Sequence, residues 1–297
     1  MWFSNELIEV GIAPDGFAIR LRGERHVRQH EVSAAGDWHC ALVKLEAELL
    51  SWRPVGVRSR LGRPALSVAL SLNYVRFFRL PWSESLLNRG RAAVFAATQF
   101  ASAGSPNGAV PDAFSYLVED APPGAPRLAC AIEHALLVAL DDMARRTNTR
   151  LVSATSWVVA AMNMHARHLP TEGWFVAIED AHLALVTLSA GVACEIAVTA
   201  WSDEGSSFYP GTGSGWRIAL ARLERRVRLR SARAEGLPIF LLDASSRGVV
   251  ASAADLVSLP LVTFIVPEHL ALPERVDTLP TESGGAHSSL ALPGAGA

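Results

Sequence analysis

Side chains that commonly carry covalent or phosphate chemistry are scarce in this chain of 297 residues. Arginine supplies 26 of the 27 basic residues, so a nucleophilic or phosphate-binding lysine would have to be Lys44, which lies in an ordinary amphipathic helical pattern. Cys40, Cys130 and Cys194 lie among apolar residues without a CxxC spacing, as buried free thiols do. The sequence therefore disfavours lysine or cysteine catalysis, disulfides and cysteine-based zinc sites.

Carboxylates at two predicted strand turns are the stronger candidates for metal or phosphate binding. Asp15 and Gly16 lie in the segment VGIAPDGFAI, and Glu179 and Asp180 lie in the segment VAIEDAHLALV. Backbone amides reach phosphate oxygens only where side chains leave room, so such a site needs small residues beside its carboxylates. An ordinary Pro-Asp-Gly turn explains Asp15 and Gly16 better than a phosphate site does.

Two further patterns are compatible with ligand binding but favour a structural explanation. His165 and His168 are three residues apart on one predicted helix face, yet no third metal ligand is near them. The glycine-rich loop 211–215 precedes a predicted helix, where an anion can bind, but it lacks a GK[ST] motif. We therefore expect a helix end and a loop at the surface, without a metal.

A predicted helix from Trp216 to Arg233 has one apolar stripe and one strongly basic face. The candidate partner-binding residues on this helix are Arg222, Arg225, Arg226 and Arg228. An acidic protein, anionic lipid headgroups or nucleic acid would each suit such a face, and so would plain solvation with local salt bridges to Glu224. Aromatic residues do not interleave with the arginines, which disfavours single-stranded nucleic acid.

The elements that would position these groups follow an α/β pattern with a weak internal repeat. Residues 6–32 and 174–201 each predict a three-stranded meander that is followed by a helix and a strand. Ile12 and Ile178 are equivalent points of the two meanders, 166 residues apart. Asp37 is predicted to N-cap a helix at 38–52, and other helices are predicted at 83–103, 134–147 and 157–168, and near Asp255.

Composition limits the cellular context and the classes of partner. Half of the residues are apolar and 19% are charged, so the chain can bury a large core. The net charge of −2 gives no global field for nucleic acid or anionic membranes. The N-terminus has no basic region typical of a secretory signal, and no apolar run reaches the roughly 18 residues of a membrane helix. We expect a cytoplasmic chain.

The segment LSVALSLNYVRFFRLPWSESL, residues 66–86, is the most informative piece of the sequence. It resembles a stretch of the actin-like assembly-platform proteins of type IV pili (PilM-type) and type II secretion (GspL-type cytoplasmic domain). In those families a strand ending in Leu-Ser precedes a Val-Arg strand and a Leu-Pro-Trp-Ser corner. The matching residues here are Leu70-Ser71, Val75-Arg76 and Leu80-Pro81-Trp82-Ser83. The resemblance covers roughly residues 5 to 270.

The resemblance implies an actin-like (ribonuclease H-like) α/β fold with two duplicated β-β-β-α-β-α lobes. The first lobe would span residues 1–155 and hold an inserted α/β subdomain at about 66–148. The second lobe would span 156–278, and residues 279–297 would form a disordered Gly/Ala/Ser/Pro tail.

Measured against this family pattern, the nucleotide loops look degenerate. Ala13 stands where the GIDIG pattern has its aspartate, which leaves Asp15 and Gly16 as a shifted remnant. The second turn offers Glu179 and Asp180 without small neighbours, and His182 and Leu183 would crowd a phosphate. The turn at 244–246 reads Ala-Ser-Ser where a Gly-Gly turn is expected. We therefore expect a pseudo-ATPase without catalytic residues, cofactor or metal.

The function implied by the resemblance is that of a scaffold that couples a cytoplasmic pilus or secretion ATPase to a bitopic inner-membrane protein. GspL-type chains carry their own membrane helix, and this sequence is instead organised like PilM, peripheral to the bacterial inner membrane. We expect no nucleic acid and no direct membrane span, and a homodimer is left open.

An enzymatic alternative also stays open. An ATP-binding actin-like protein or phosphotransferase with rearranged loops would need Asp15, Glu179 or Asp180 to hold Mg²⁺. A third hypothesis is a nucleic-acid-binding module that uses the arginine-rich helix.

Overall fold

The strand meander that opens the chain forms one side of a five-stranded mixed sheet. The computed structural model describes residues 7–22, 28–32, 37–51, 63–102, 110–179, 181–201, 215–231, 237–243 and 262–265. The strands of this first sheet are β1 (Leu7–Ala13), β2 (Gly16–Leu21), β3 (Arg28–Glu31), β4 (Ala65–Leu70) and β8 (Arg150–Ser156). Their order is β3-β2-β1-β4-β8, with an antiparallel meander and a parallel side formed by β1, β4 and β8.

Two helices cover one face of the first sheet, α1 (Trp38–Ser51) and α3 (His134–Arg146). The Asp37 side chain accepts the backbone N–H of His39 at 2.9 Å, which confirms the predicted N-cap of α1. Leu42, Leu45 and Leu49 recur at helical spacing and are buried in the core that α1, α3 and the sheet share.

The second sheet repeats this topology. Its strands are β9 (Gly173–Ile178), β10 (His182–Ser189), β11 (Val192–Ala200), β12 (Ile239–Asp243) and β13 (Val262–Ile265). The order is β11-β10-β9-β12-β13, again a meander beside parallel strands. Every residue of β9 is buried, as expected of a central strand covered on both faces. The long helix α5 (Gly215–Ser231) packs on one of those faces. The predicted duplication is confirmed.

A smaller sheet is inserted between β4 and α3. It consists of β5 (Val75–Leu80), β6 (Phe114–Val118) and β7 (Arg127–Glu133) in the order β5-β7-β6. The strands of the inserted sheet span residues 75–133, a shorter stretch than the segment 66–148 expected for the insertion. The reason is that β4 pairs with β1 and β8, and α3 packs on the first sheet.

One predicted helix is divided in two. The segment 83–103 contains a short 3₁₀ helix (Glu84–Leu87) and then α2 (Arg89–Ser102), which packs on β6. The break occurs because the Asn88 side chain accepts the backbone N–H groups of Gly90 and Arg91, at 3.0 and 3.2 Å, and so starts a new helix.

The helix α4 (Trp157–His165) connects the two halves of the chain. It ends three residues before the predicted boundary, in a turn over residues 166–168. The predicted helix near Asp255 and the predicted tail lie outside the described residues. Among the described helices, none combines the length and apolar character needed to cross a membrane.

Candidate functional site

The ends of β4 and β9 meet in a cleft between the two large sheets. Ligands of open α/β sheets bind in the crevice beyond the carboxyl ends of the parallel strands. In this protein β1 ends at Ala13, β4 at Leu70 and β9 at Ile178, and each belongs to a parallel pair. The cleft is therefore the place where a nucleotide would be expected.

Glu179 occupies this cleft with its own carboxylate. The Ser71 hydroxyl donates to one carboxylate oxygen at 2.5 Å, and the backbone N–H of Leu72 donates to the other at 2.9 Å. Glu179 is 3% exposed, while Ser71 and Leu72 are fully buried. The backbone of Glu179 is also bound, since its N–H donates to the His182 carbonyl and its carbonyl accepts from the Trp201 indole. These charge-assisted bonds tie the second sheet to the first.

The floor of the cleft is apolar and filled by both halves of the chain. Ala13 and Leu72 come from the first half, and Phe175 and Leu242 come from the second. All four side chains are buried in one cluster with Trp157 of α4. A ligand between the sheets would have to separate this packed cluster as well as break the hydrogen bonds to Glu179.

Asp15 and Gly16 lie in the tight turn between β1 and β2. A Cβ atom at Gly16 would lie 2.4 Å from the His30 carbonyl oxygen, so the close approach of β3 requires glycine at this position. The Asp15 carbonyl accepts the backbone N–H of Val32 at 2.7 Å. The close approach of β3 thus explains the glycine at position 16, and the Asp15 backbone is bonded to the end of the same strand.

Negative charge collects around Tyr74, beside the same cleft. Burial first, and then the carboxylates of Asp15, Asp37, Glu179 and Glu133, raise the pKa of the Tyr74 phenol to about 12. Carboxylates that disfavour a phenolate also disfavour a phosphate group unless a cation accompanies it. These carboxylates therefore oppose a bare polyphosphate, whereas the Arg76 guanidinium near Leu72 would attract it.

Only one of the two side chains expected to crowd the cleft lies near it. Leu183 is buried on the opposite face of its sheet, in the core under α5. His182 lies near Arg76, whose guanidinium donates to the Leu72 carbonyl at 3.0 Å. Burial, and then the Arg76 charge, lower the pKa of His182. The alternation of side chains along β10 explains the difference between the two neighbours.

An apolar groove of about 470 Å³ lies apart from the cleft, between the inserted sheet, α4 and the β10–β11 hairpin. Phe77 and Leu128 line it from the inserted sheet, and Leu188 and Ile196 line it from the hairpin. Leu117 and Val192 stand at opposite sides, 52% and 54% exposed. Sequence reasoning missed this groove because its walls come from segments that are distant along the chain.

The groove contains one thiol and one carboxylate. Burial raises the pKa of the Cys130 thiol to about 11, so this thiol is protonated at neutral pH and is a poor nucleophile. The Glu119 carboxylate accepts the backbone N–H of Leu128 at 3.2 Å. The lining is otherwise mostly apolar, which suits a hydrophobic side chain or peptide better than a polar small molecule.

The outward face of α5 carries three of the four candidate partner-binding arginines. Arg222, Arg225 and Arg226 are exposed. Arg228 is instead half-buried: its guanidinium lies 5.4 Å from the centroid of the Trp174 ring and forms an ion pair with Glu224. Arg228 lies on the flank of α5, where contacts with Trp174 and Glu224 hold its guanidinium.

The remaining candidates within the described ranges are Lys44, the three cysteines, His165 and His168. Lys44 donates to the Glu31 carbonyl at 3.1 Å, and the three cysteines are free thiols. His165 and His168 lie at the end of α4 with ring centroids 6.5 Å apart. No group of three or more potential metal ligands occurs within the described ranges. Asp180, the 244–246 turn and residues 211–214 lie outside those ranges.

Comparisons with known proteins identify the fold. No protein-family model matches the chain, and no curated protein sequence matches it. A chain of the PilM-PilN type IV pilus biogenesis complex matches with a TM-score of 0.56 and 15% identity, over 88% of each chain. A Bacteroides thetaiotaomicron protein of unknown function with an actin-like ATPase fold matches with a TM-score of 0.52 and 10% identity, over 88% of this chain and 91% of that one.

A third solved structure matches with a lower TM-score. The cytoplasmic domain of EpsL, an inner-membrane component of the Vibrio cholerae type II secretion system, matches with a TM-score of 0.45 and 11% identity, over 88% of this chain and 85% of that one. At these identities the matches above a TM-score of 0.5 establish the fold: the protein is actin-like, as the sequence resemblance implies.

Proposed function

We propose that this protein is a non-catalytic cytoplasmic scaffold of a type IV pilus or type II secretion-like inner-membrane assembly platform. In this role it couples a cytoplasmic ATPase to a bitopic membrane partner, and it lies peripheral to the bacterial inner membrane. The proposal keeps the division into a first lobe at 1–155, a second lobe at 156–278 and a tail.

The observation that carries the proposal is the link from Glu179 to Ser71 and Leu72. A carboxylate in the second turn is positioned to hold a cation for a nucleotide, yet here it is buried and hydrogen-bonded to the opposite half of the protein. Nucleotide entry would leave two buried donors without their acceptor and would expose the apolar cluster around Leu72. These contacts favour a rigid connection between the two halves of the protein over a cleft that opens to bind a nucleotide.

The groove supports the binding part of the proposal. It is open, mostly apolar, and bordered by the inserted sheet and the second lobe. One of the structural neighbours is a chain of the PilM-PilN type IV pilus biogenesis complex. We assign the groove as the docking site for a cytoplasmic peptide segment of the membrane partner, with apolar contacts to the lining residues that supply the affinity.

Nucleotide binding is tested by thermal unfolding with and without millimolar Mg-ATP, with a nucleotide-binding actin-like ATPase measured in parallel. A ligand at 100 times its dissociation constant stabilises the native state by about 2.7 kcal/mol, which is readily measured. We expect no saturable shift for this protein. A saturable, magnesium-dependent shift would instead support the ATP-binding or phosphotransferase alternative.

Docking is tested with labelled synthetic peptides that cover the cytoplasmic segments of bitopic proteins encoded beside this chain. Val192→Arg places a charge at the rim of the groove, and Val43→Arg places the same charge on the outer surface of α1. We expect fluorescence anisotropy to show at least a tenfold loss of affinity for Val192→Arg and no change for Val43→Arg. Equal effects of the two substitutions, or no binding of any such peptide, would contradict the groove assignment.

A further inference from the structure

The outward face of α5 combines basic and apolar side chains along a single line. Successive residues of an α-helix advance by about 100°, so residues eleven positions apart return to within about 20°. Ile218 and Leu229 are related in this way, and Arg222 and Arg225 lie between them on the same strip. Ile218 is 37% exposed and Leu229 is 80% exposed.

Arg222 and Arg225 of this strip, and Arg226 at its edge, have no ionic partner among the described residues. Arg222, Arg225 and Arg226 are exposed, and the acid on the helix, Glu224, pairs with the half-buried Arg228 instead. Three uncompensated positive charges within about two turns form a local basic surface on a chain whose net charge is −2. This surface attracts anions that the chain as a whole does not attract.

The opposite face of α5 holds the strip in place. Trp216, Leu220, Leu223 and Val227 are buried against the second sheet. The helix therefore cannot turn its outward leucine inward, and it presents a convex surface rather than a cleft. An exposed leucine and isoleucine flanked by arginines are the features of a helix that lies in the headgroup region of a bilayer.

We propose that the outward face of α5 binds an anionic phospholipid surface. Arg222, Arg225 and Arg226 would contact lipid phosphates, and Leu229 and Ile218 would enter the boundary between headgroups and acyl chains. A laterally mobile lipid layer adapts to a convex helix, whereas a folded acidic protein would need a complementary concave surface. The inference does not rest on the scaffold role or on the groove.

The first test measures co-sedimentation of the full chain with vesicles of phosphatidylcholine alone and with vesicles that contain phosphatidylglycerol. We expect binding only to the anionic vesicles, with affinity that falls as salt is raised. Each arginine near an anionic surface contributes about fivefold in affinity, so the triple variant R222Q/R225Q/R226Q is expected to bind about a hundredfold more weakly. Equal binding to neutral vesicles would overturn the proposal.

A matched triple variant separates the location of the charges from their number. Arg89, Arg91 and Arg167 are exposed and lie away from α5. The variant R89Q/R91Q/R167Q has the same net charge as the α5 variant and is expected to bind within twofold of the unmodified protein. A hundredfold loss in this control would show that the binding reflects overall charge, and the proposal would fail. Unchanged far-ultraviolet circular dichroism and melting temperature confirm that each variant is folded.

A leucine variant distinguishes lipid from nucleic acid, the other polyanion that this face fits. Leu229→Gln retains all of the arginines and is expected to reduce affinity for the anionic vesicles about tenfold, because insertion of the apolar side chain is lost. Duplex DNA offers phosphates without an apolar layer. Tighter binding to duplex DNA than to the vesicles at equal salt, unaffected by Leu229→Gln, would overturn the lipid assignment in favour of nucleic acid.

Discussion

Replacing Glu179 with alanine removes the acceptor that joins the two halves of the protein. The Ser71 hydroxyl and the Leu72 backbone N–H both donate to this carboxylate and both are buried. A buried donor left without an acceptor costs about 1–3 kcal/mol, so Glu179→Ala should lower the free energy of unfolding by about 2–6 kcal/mol. Glu179→Gln keeps one oxygen for Leu72 and an amide that can donate to the Ser71 oxygen, and should cost about 1–2 kcal/mol.

Urea denaturation of the purified variants measures these differences. Glu84→Ala provides the matched control, because Glu84 is exposed at the surface of the inserted subdomain. The specific readout is native-state hydrogen exchange at the Leu72 amide, which should become faster in Glu179→Ala and stay slow in Glu84→Ala. Ser71→Ala combined with Glu179→Ala should cost less than the sum of the two single changes, because both remove the same bond.

Two results would contradict the role assigned to Glu179. Unfolding of Glu179→Ala at the same urea concentration as the control would mean that the carboxylate does not hold the lobes together. Unchanged exchange at Leu72 would likewise mean that its N–H has another acceptor. In either case the cleft could open at little cost, and the Glu179 contacts would not oppose nucleotide binding.

Three further changes have definite expected outcomes. Gly16→Ala should destabilise the protein by about 1–3 kcal/mol in urea denaturation, because the new methyl group meets the His30 carbonyl, whereas Gly90→Ala in α2 should be neutral or stabilising. Leu72→Ala should cost about 2–5 kcal/mol in the same assay, since it leaves a cavity in the core shared by both lobes; a cost below about 1 kcal/mol would argue against that shared core. Cys130 should react with a thiol reagent at pH 8 at least about a hundredfold more slowly than a free cysteine, because its pKa of about 11 keeps it protonated; rapid labelling of the folded protein would contradict its burial.

The duplicated architecture could be predicted because it depends on local patterns. The apolar alternation of β1 and the continuous apolar run of β9 mark strands before any tertiary contact is known. Asp37 likewise marks the start of α1 by a local signal, because its side chain caps the backbone N–H of His39. The break at Asn88 escaped prediction because the flanking residues continue a helical pattern, and only the amide side chain ends one helix and starts the next.

The site could be predicted only in part, because its decisive contacts are long-range. The sequence indicates that Glu179 is the carboxylate of the second turn, but the Ser71 hydroxyl that binds it lies 108 residues earlier. The informative segment 66–86 contains Ser71 and Leu72, yet nothing local shows that they meet the second lobe. The direction of Arg228 was missed for a related reason: its position depends on Trp174, which is distant in sequence.

The groove and the basic strip of α5 lie on opposite faces of one sheet, and this constrains any membrane partner. Leu188 and Ile196 face the groove, while Leu183 and Leu185 pack under α5. If α5 rests on the bilayer, the groove is separated from the lipid by the helix, about 10 Å across, and by a sheet layer of similar thickness. A peptide that comes from the membrane must span at least this distance to reach the groove. At about 3.3 Å per extended residue, roughly six residues must separate the membrane segment from the docked peptide. A partner with a shorter connection could engage the groove only by lifting α5 from the lipid, so peptide docking and lipid binding would then compete.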